Sequence, residues 1–290
     1  MAFLALLKKE LRLRLRRERT AWAIIIYVVL LSLLGWVTLN QFIRADPYDP
    51  DNFGHAGLSL YYLLSMVQLL LILLITPAST ASTINGEKER QTFDLLLCSQ
   101  LTRFSLVAGK IIAGLADTLL LVAASLPIFS FVFFFGGVSP LQILAAVLIY
   151  LATALLGATV GIFCSTLFQR PTPSIIITYL AEAIWIFLPF ILAYLGFIAS
   201  PHYFADQNSA KLLFLWHPVM ALISTYTPSN TFSITIGTIT IDIWISYLFV
   251  SLVATVIFFI LSMWMVKPRQ GKKFYMRHKR QQMQQNAVVG

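Results

Sequence analysis

Residues 140–166 read PLQILAAVLIYLATALLGATVGIFCST, an apolar stretch without one charged side chain. An α-helix rises 1.5 Å per residue, so about 20 such residues cross the ~30 Å of hydrocarbon in a bilayer. Five further stretches have the same character, at about 21–41, 58–80, 108–135, 173–199 and 243–266. Only helices or closed barrels satisfy their backbone hydrogen bonds in lipid, and these runs are far longer than barrel strands. The chain therefore reads as an all-α polytopic membrane protein with six transmembrane helices. Pro127 and Pro189 fall inside spans, where a missing N–H favours a kink. Composition agrees: of 290 residues, 58% are hydrophobic and 11% charged, and the mean hydropathy is +0.80. A soluble domain is about 45–50% apolar and ~25% charged, and a disordered chain is poorer still in apolar residues. Both classes are excluded.

The net charge of +9 resembles that of a nucleic-acid binder until the charges are located. Residues 8–19 (KKELRLRLRRER) carry a net +5 and residues 267–280 (KPRQGKKFYMRHKR) a net +7, leaving −3 for the remainder. With six spans, nineteen of the 21 basic residues fall on one side, and only Arg44 and Lys211 on the other. The positive-inside rule then places both termini in the cytoplasm of a multi-pass protein of the cell membrane. No nucleic-acid partner is expected, because a basic tail beside a last span is a topological and lipid-binding feature. Cys98 and Cys164 have no spacing that suggests a metal or a disulfide framework, and no cleavable signal peptide is evident.

Three segments outside the spans carry pattern. In residues 1–20, Leu4, Leu7, Leu11 and Leu15 form one stripe at helical spacing among basic residues such as Arg12 and Arg16. This predicts an amphipathic helix in the inner interface, drawn to anionic lipid, the alternative being a topogenic anchor alone. The 81–107 loop is longer than a turn between spans needs. In it Phe93, Leu96, Leu97 and Leu101 stand at i, i+3, i+4 and i+8, an apolar helix face with no intramembrane partner. It either docks into something or merely closes the loop. On the outer side, residues 200–242 contain LLFLWHPVMALI (212–223), too short to span and interrupted by Pro218. That run suits a re-entrant or interfacial helix. The following FSITIGTITI alternates like a strand, interrupted at Gly237, and could equally be a lead-in to the last span.

The chemistry of an ATPase or protease is missing. There is no GxxxxGK(S/T) phosphate loop: Gly109 and Lys110 are adjacent, but Phe104 stands where the first glycine belongs. There is no HExxH or GxSxG, and His55, His202, His217 and His278 fall outside the predicted spans. No catalytic, cofactor or metal residues are assigned, and the chain is not read as an enzyme. Two acids do lie within spans, Glu182 near mid-membrane and Asp117 about two turns into the third span. Buried carboxylates are costly, which makes both candidates for a substrate pathway, with helix tying as the alternative. Lys110 is the expected partner of Asp117, while Glu182 has no in-span cation and suits a neutral, hydrogen-bonded acid. Gln68 and Thr178 join them as polar pathway candidates. Helix–helix hydrogen bonding is the alternative for these two and the expectation for Thr76, Thr153 and Thr159.

The stretch PASTASTINGEKERQTFDLLLCSQLTRFSLVAGKIIAGL (77–115) resembles the signature region of ABC transporter permeases of the type-2 exporter (ABC-2) class. That pattern is a span ending in small residues, an E-(K/R)-E-x-x-T-x-x-x-L-L core, a linker, and a GK that opens the next span. Glu87, Lys88, Glu89, Thr92, Leu96, Leu97, Gly109 and Lys110 occupy matching positions. The family's linker often has a proline after the leucines, where this chain reads CSQLT. LPIFSFVFFFGGVS (126–139) is similar to the family's third span and outer turn, and KKELRLRLRR (8–17) to its interfacial connecting helix.

The resemblance implies one permease half of an exporter. The 87–101 loop would be a coupling helix, with Glu87, Lys88, Glu89, Arg90, Thr92, Phe93, Leu96, Leu97 and Leu101 docking a separate cytoplasmic ATPase subunit. Two ATPase copies, which would hold ATP and magnesium, and a second permease half complete such a complex. The 200–242 segment would match the family's re-entrant outer helices, and 267–290 is left as a basic cytoplasmic tail. Two other classes compete: a proton-coupled secondary carrier using Glu182 and Asp117, and a membrane anchor for a cytoplasmic partner. A carrier often shows an internal repeat, and none is convincing between residues 21–135 and 140–266. The Phe-, Leu- and Ile-rich spans favour an apolar or amphipathic cargo over a small ion.

Overall fold

The computed structural model describes residues 18–45, 51–91, 102–199, 211–226, 233–236 and 239–266. Six helices in it are long and apolar enough to cross a membrane. They are α1 (Glu18–Ala45), α2 (Asp51–Thr80), α4 (Arg103–Phe135), α5 (Pro140–Leu167), α6 (Pro171–Ala199) and α8 (Ile243–Met265). Two short helices lie between them, α3 (Asn85–Glu89) and α7 (Pro218–Ser224), along with a hairpin of β1 (Ser233–Ile236) and β2 (Ile239–Asp242). The N-terminal leucine stripe, Thr92 to Leu101 with its apolar face, and the basic tail lie outside the described residues.

The helices start where the sequence supplies caps. At α5 the Ser139 side chain accepts from Gln142 N while the Gln142 side chain accepts from Ser139 N, with Pro140 in the first turn. At α4 Thr102 accepts from Ser105 N at 3.2 Å. Between them Gly136 and Gly137 have φ of 78° and 83°, a left-handed turn that glycine adopts freely. A side chain on Gly137 would strike the carbonyl of Gly54, and one on Gly57 that of Gly136. The α4–α5 turn thus sits directly on the first turns of α2.

Helix α5 is the most buried span and packs against α2, α4, α6 and α8. Its interior face is rich in small residues, Ala145, Ala146, Ala154, Gly157, Ala158 and Gly161, which let neighbouring backbones approach. Helices α1 and α6 are the least buried and present long rows of exposed Ile, Leu, Phe and Val, as a lipid-facing surface requires. The main core runs along α2, α4 and α5 around Tyr61, Leu64, Leu69, Ile149 and Tyr150. A second cluster of Ile84, Leu106, Val107, Ile111 and Ile162 fills the end of the bundle where Val266 lies.

The alternating run after residue 232 is a hairpin rather than a lead-in. Ser233 pairs with Asp242 and Ile236 with Ile239 in antiparallel register, and α8 starts directly after the second strand. The segment before it folds back onto the bundle. His217 Nδ1 accepts from Met220 N as the cap of α7, and Nε2 donates to Ile186 O at 3.1 Å. That pair of bonds selects the neutral Nε2–H tautomer. Ile186 stands fifteen residues past Pro171, about half-way along α6.

Candidate functional site

The α2–α4 connection is built as a junction. Helix α2 ends at Thr80, a turn follows over residues 81–84, and α3 starts at Asn85. A helix of five residues cannot satisfy the donors of its own first turn. Here Ser165 Oγ, from α5, accepts from Ile84 N at 2.9 Å and Asn85 N at 3.1 Å. Ser165 is wholly buried, so no water replaces it. The reciprocal contact comes from Lys88, whose Nζ donates to Thr166 O at 2.6 Å and to Ser165 O and Phe168 O at 3.4 Å. These are the last carbonyls of α5, the negative end of its dipole, where a cation is favoured.

Two further ties complete the junction. Asn85 Nδ2 donates to Arg170 O at 3.2 Å, and Ser174 Oγ donates to Ala81 O at 2.7 Å, which holds the start of α6 against the same turn. Glu87 Oε1 lies 2.7 Å from Lys110 Nζ on α4. Lys110 is 1% exposed and Glu87 24%. Charge-assisted bonds of that length, shielded from water, are among the stronger polar contacts a fold makes. Lys110 thus pairs with Glu87 across 23 residues of sequence.

The four charges Glu87 to Arg90 therefore divide. Glu87 and Lys88 turn inward to α4 and α5, whereas Glu89, Arg90 and Gln91 are exposed. Gln91 has φ 58°, a left-handed residue that ends α3. Serine residues at the ends of spans gave no sequence signal for this junction, because Ser165 and Ile84 are 81 residues apart.

The in-span polar residues behave unevenly. Thr76 and Thr118 share a hydrogen bond of 3.0 Å between α2 and α4, and Thr153 and Tyr247 one of 2.7 Å between α5 and α8. Thr159 and Thr178 donate to carbonyls of their own helices, Leu156 O at 2.8 Å and Ser174 O at 2.7 Å, and Thr178 also meets the Cys164 thiol of α5. Gln68 is fully buried on α2, and its amide makes no hydrogen bond among the described residues. Glu182 is 6% exposed, about 17 Å along α6 from Pro171, with its Oε1 likewise unbonded among the described residues. Asp117 is half-buried on α4.

Residues 38–266 match the family model described as ABC-2 family transporter protein. The chain belongs to that family. The match covers five complete spans and the C-terminal end of α1 from residue 38, and includes the junction around Ser165. No curated protein matches the chain. Members of this family are membrane components of ABC transporters and are not themselves catalytic, so this ABC-2 protein is a permease component.

Proposed function

We propose that this ABC-2 permease is one membrane half of an exporter, driven by a separate ATPase subunit that docks on residues 87–101. The observation that carries the reading is the junction at residues 81–91. Its inward side is bonded to α4, α5 and the α5–α6 turn, and its outward side shows only Glu89, Arg90 and Gln91. A surface connection that merely closed a loop would need none of these buried bonds. One that must pass a push from a partner into several spans needs all of them. In this reading Glu87 and Lys88 anchor the segment. Glu89 and Arg90, with Thr92, Phe93, Leu96, Leu97 and Leu101, meet the ATPase, which holds ATP and magnesium.

The excess of basic residues supports a cytoplasmic position for this end of the bundle. Closure of two ATPase subunits would move the two junctions of a permease pair and so tilt α5 and α6. In this reading α7, held against the middle of α6 through His217 and Ile186, is part of a re-entrant plug formed by the 200–242 segment on the outer half of the pathway. Leu4, Leu7, Leu11 and Leu15, with Arg12 and Arg16, lie along the inner lipid interface.

The test is a pull-down of the permease with its co-expressed ATPase subunit from detergent. Alanine at Leu96 and Leu97, or charge reversal at Glu89 and Arg90, should release the subunit while leaving the permease folded. Retained binding in both variants would count against the docking assignment. The competing carrier reading, resting on Glu182, requires flux driven by a pH gradient without ATP, and its absence in liposomes sinks that reading.

A further inference from the structure

A cavity of about 280 Å³ opens between α5, α6 and α8. It is at the small end of the range seen for ligand sites. Leu156 and Val160 of α5 and Ala254 of α8 give it apolar walls. Its polar and aromatic groups are Glu182 and Trp185 of α6, Tyr247, Ser251 and Phe258 of α8, and Trp216 just before α7.

These groups are held in place. The rings of Trp185 and Tyr247 lie nearly parallel, 14° apart in plane with centroids at 6.5 Å. Trp185 Nε1 donates to Trp216 O at 3.0 Å, and the Tyr247 hydroxyl is bonded to Thr153 Oγ1 at 2.7 Å. Glu182 is the exception. Its Oε1 is buried and makes no hydrogen bond among the described residues. A methyl group on Gly157 would lie 3.0 Å from that oxygen. Glycine inside a helix costs about 1 kcal/mol against alanine, and here it leaves room for the carboxyl group against α5.

Each feature narrows what the cavity accepts. A buried carboxyl oxygen without a donor is costly, and an anion would only add repulsion. A neutral hydrocarbon would leave Oε1 unpaired. An ammonium group supplies both an N–H donor and a charge, and the faces of Trp185 and Tyr247 attract a cation as well. Leu156, Val160 and Ala254 accept an apolar body. Trp216 and Val250 on the rim are exposed on the apolar surface of the bundle, so entry is from the bilayer.

We propose that this cavity binds small amphipathic organic ammonium ions, with the ammonium on Glu182 between the aromatic rings and the apolar body along α5 and α8. As a substrate site it rests on the permease reading. As a binding site it does not.

Equilibrium binding to the full chain in lipid nanodiscs, with empty nanodiscs as blank, tests it. Phenethylammonium is the probe, and phenethyl alcohol and phenylacetate are its neutral and anionic counterparts of similar shape. Saturable binding of the ammonium alone is expected. Glu182→Gln should weaken it roughly ten- to a hundredfold, as loss of a charge-assisted hydrogen bond does. Gly157→Ala, which crowds the carboxyl group, should weaken it as well. Equal affinity for the alcohol, no saturable binding, or wild-type affinity in both variants would overturn the site. If Glu182→Gln does not fold, the comparison of ammonium with alcohol on the unaltered chain decides. Saturable binding without ATP-driven transport of the probe would refute the substrate role and leave the binding site. A bound ATPase subunit with no ammonium binding would refute the site and leave the permease reading.

Discussion

Ser165→Ala tests the junction from its buried side, without touching the surface a partner would see. The substitution removes one oxygen atom and adds none, so it introduces no clash. Ile84 N and Asn85 N, at 2.9 and 3.1 Å from that oxygen, lose their acceptor together. A buried donor left unpaired costs about 1–3 kcal/mol, and some relaxation is available to a short helix, so about 2–4 kcal/mol is expected for the pair. Opening the 81–91 segment to water releases both donors. The whole cost is therefore subtracted from the free energy of that local opening, and its equilibrium constant should rise roughly 30- to 700-fold. Hydrogen exchange of the protein in nanodiscs, read by mass spectrometry, measures this directly. The peptide over residues 81–91 should exchange faster by that factor, while peptides from the middle of α5 keep their rates. Ser165→Thr, which retains the acceptor, should exchange more slowly than the alanine variant. Wild-type exchange over 81–91, or equal acceleration throughout the bundle, would refute the argument that Ser165 caps α3.

Three further outcomes follow from the same geometry. Lys110→Met should cost less than the ~3–5 kcal/mol of a fully buried broken pair, because Glu87 is 24% exposed, and Glu87→Gln added to it should restore part of the loss. Additive losses in a denaturation cycle would contradict the pairing. Gly161→Ala places a methyl group against Thr80 Oγ1 and should cost about 1–3 kcal/mol, partly relieved by Thr80→Ala. Thermal unfolding of the double variant below both singles would count against that contact. His217→Asn keeps an acceptor for Met220 N but loses the bond to Ile186 O, so it should lie between wild type and His217→Ala, about 1 kcal/mol below the former. Equal loss in both variants would deny the capping role.

The spans were legible because hydrocarbon demands a continuous apolar run, and that demand is local in sequence. The predicted end at 199 and start at 140 coincide with helix bounds. The early starts of α2 at Asp51 and α4 at Arg103 were missed for one reason. DNFGHAG and RFSLV are too polar or too mixed to register as membrane, yet a cap such as Thr102 lets a helix begin outside the hydrocarbon. The Glu–Lys–Glu core was legible as a motif, but not which way its charges face. Sequence spacing offers Lys110 the nearby Asp117 but gives no sign of Glu87, which folding brings to it from 23 residues away.

That difference bears on how the junction can act. If all four charges from Glu87 to Arg90 faced a partner, the partner would grip a flexible loop and most of its push would be lost in bending. With Lys88 on the last carbonyls of α5, Glu87 on α4 and Asn85 on the α5–α6 turn, displacement of the 81–91 segment must move those helix ends or break buried bonds. Breaking several such bonds together costs more than tilting α6, the span that shares the least buried surface with the rest along with α1. On the coupling proposed above, motion delivered at the junction would pass into α6 through Ser174 and Ala81, and α6 carries Glu182, Trp185 and the Ile186 carbonyl that holds His217. One helix thus links the anchored end, the cavity and the folded-back segment. This predicts that a short bifunctional thiol crosslink between cysteines placed near Tyr179 on α6 and Leu74 on α2, where Tyr179 OH donates to Leu74 O at 2.6 Å, would leave ATPase binding intact and stop transport. Transport that persists with the crosslink formed would show that α6 is not the moving part.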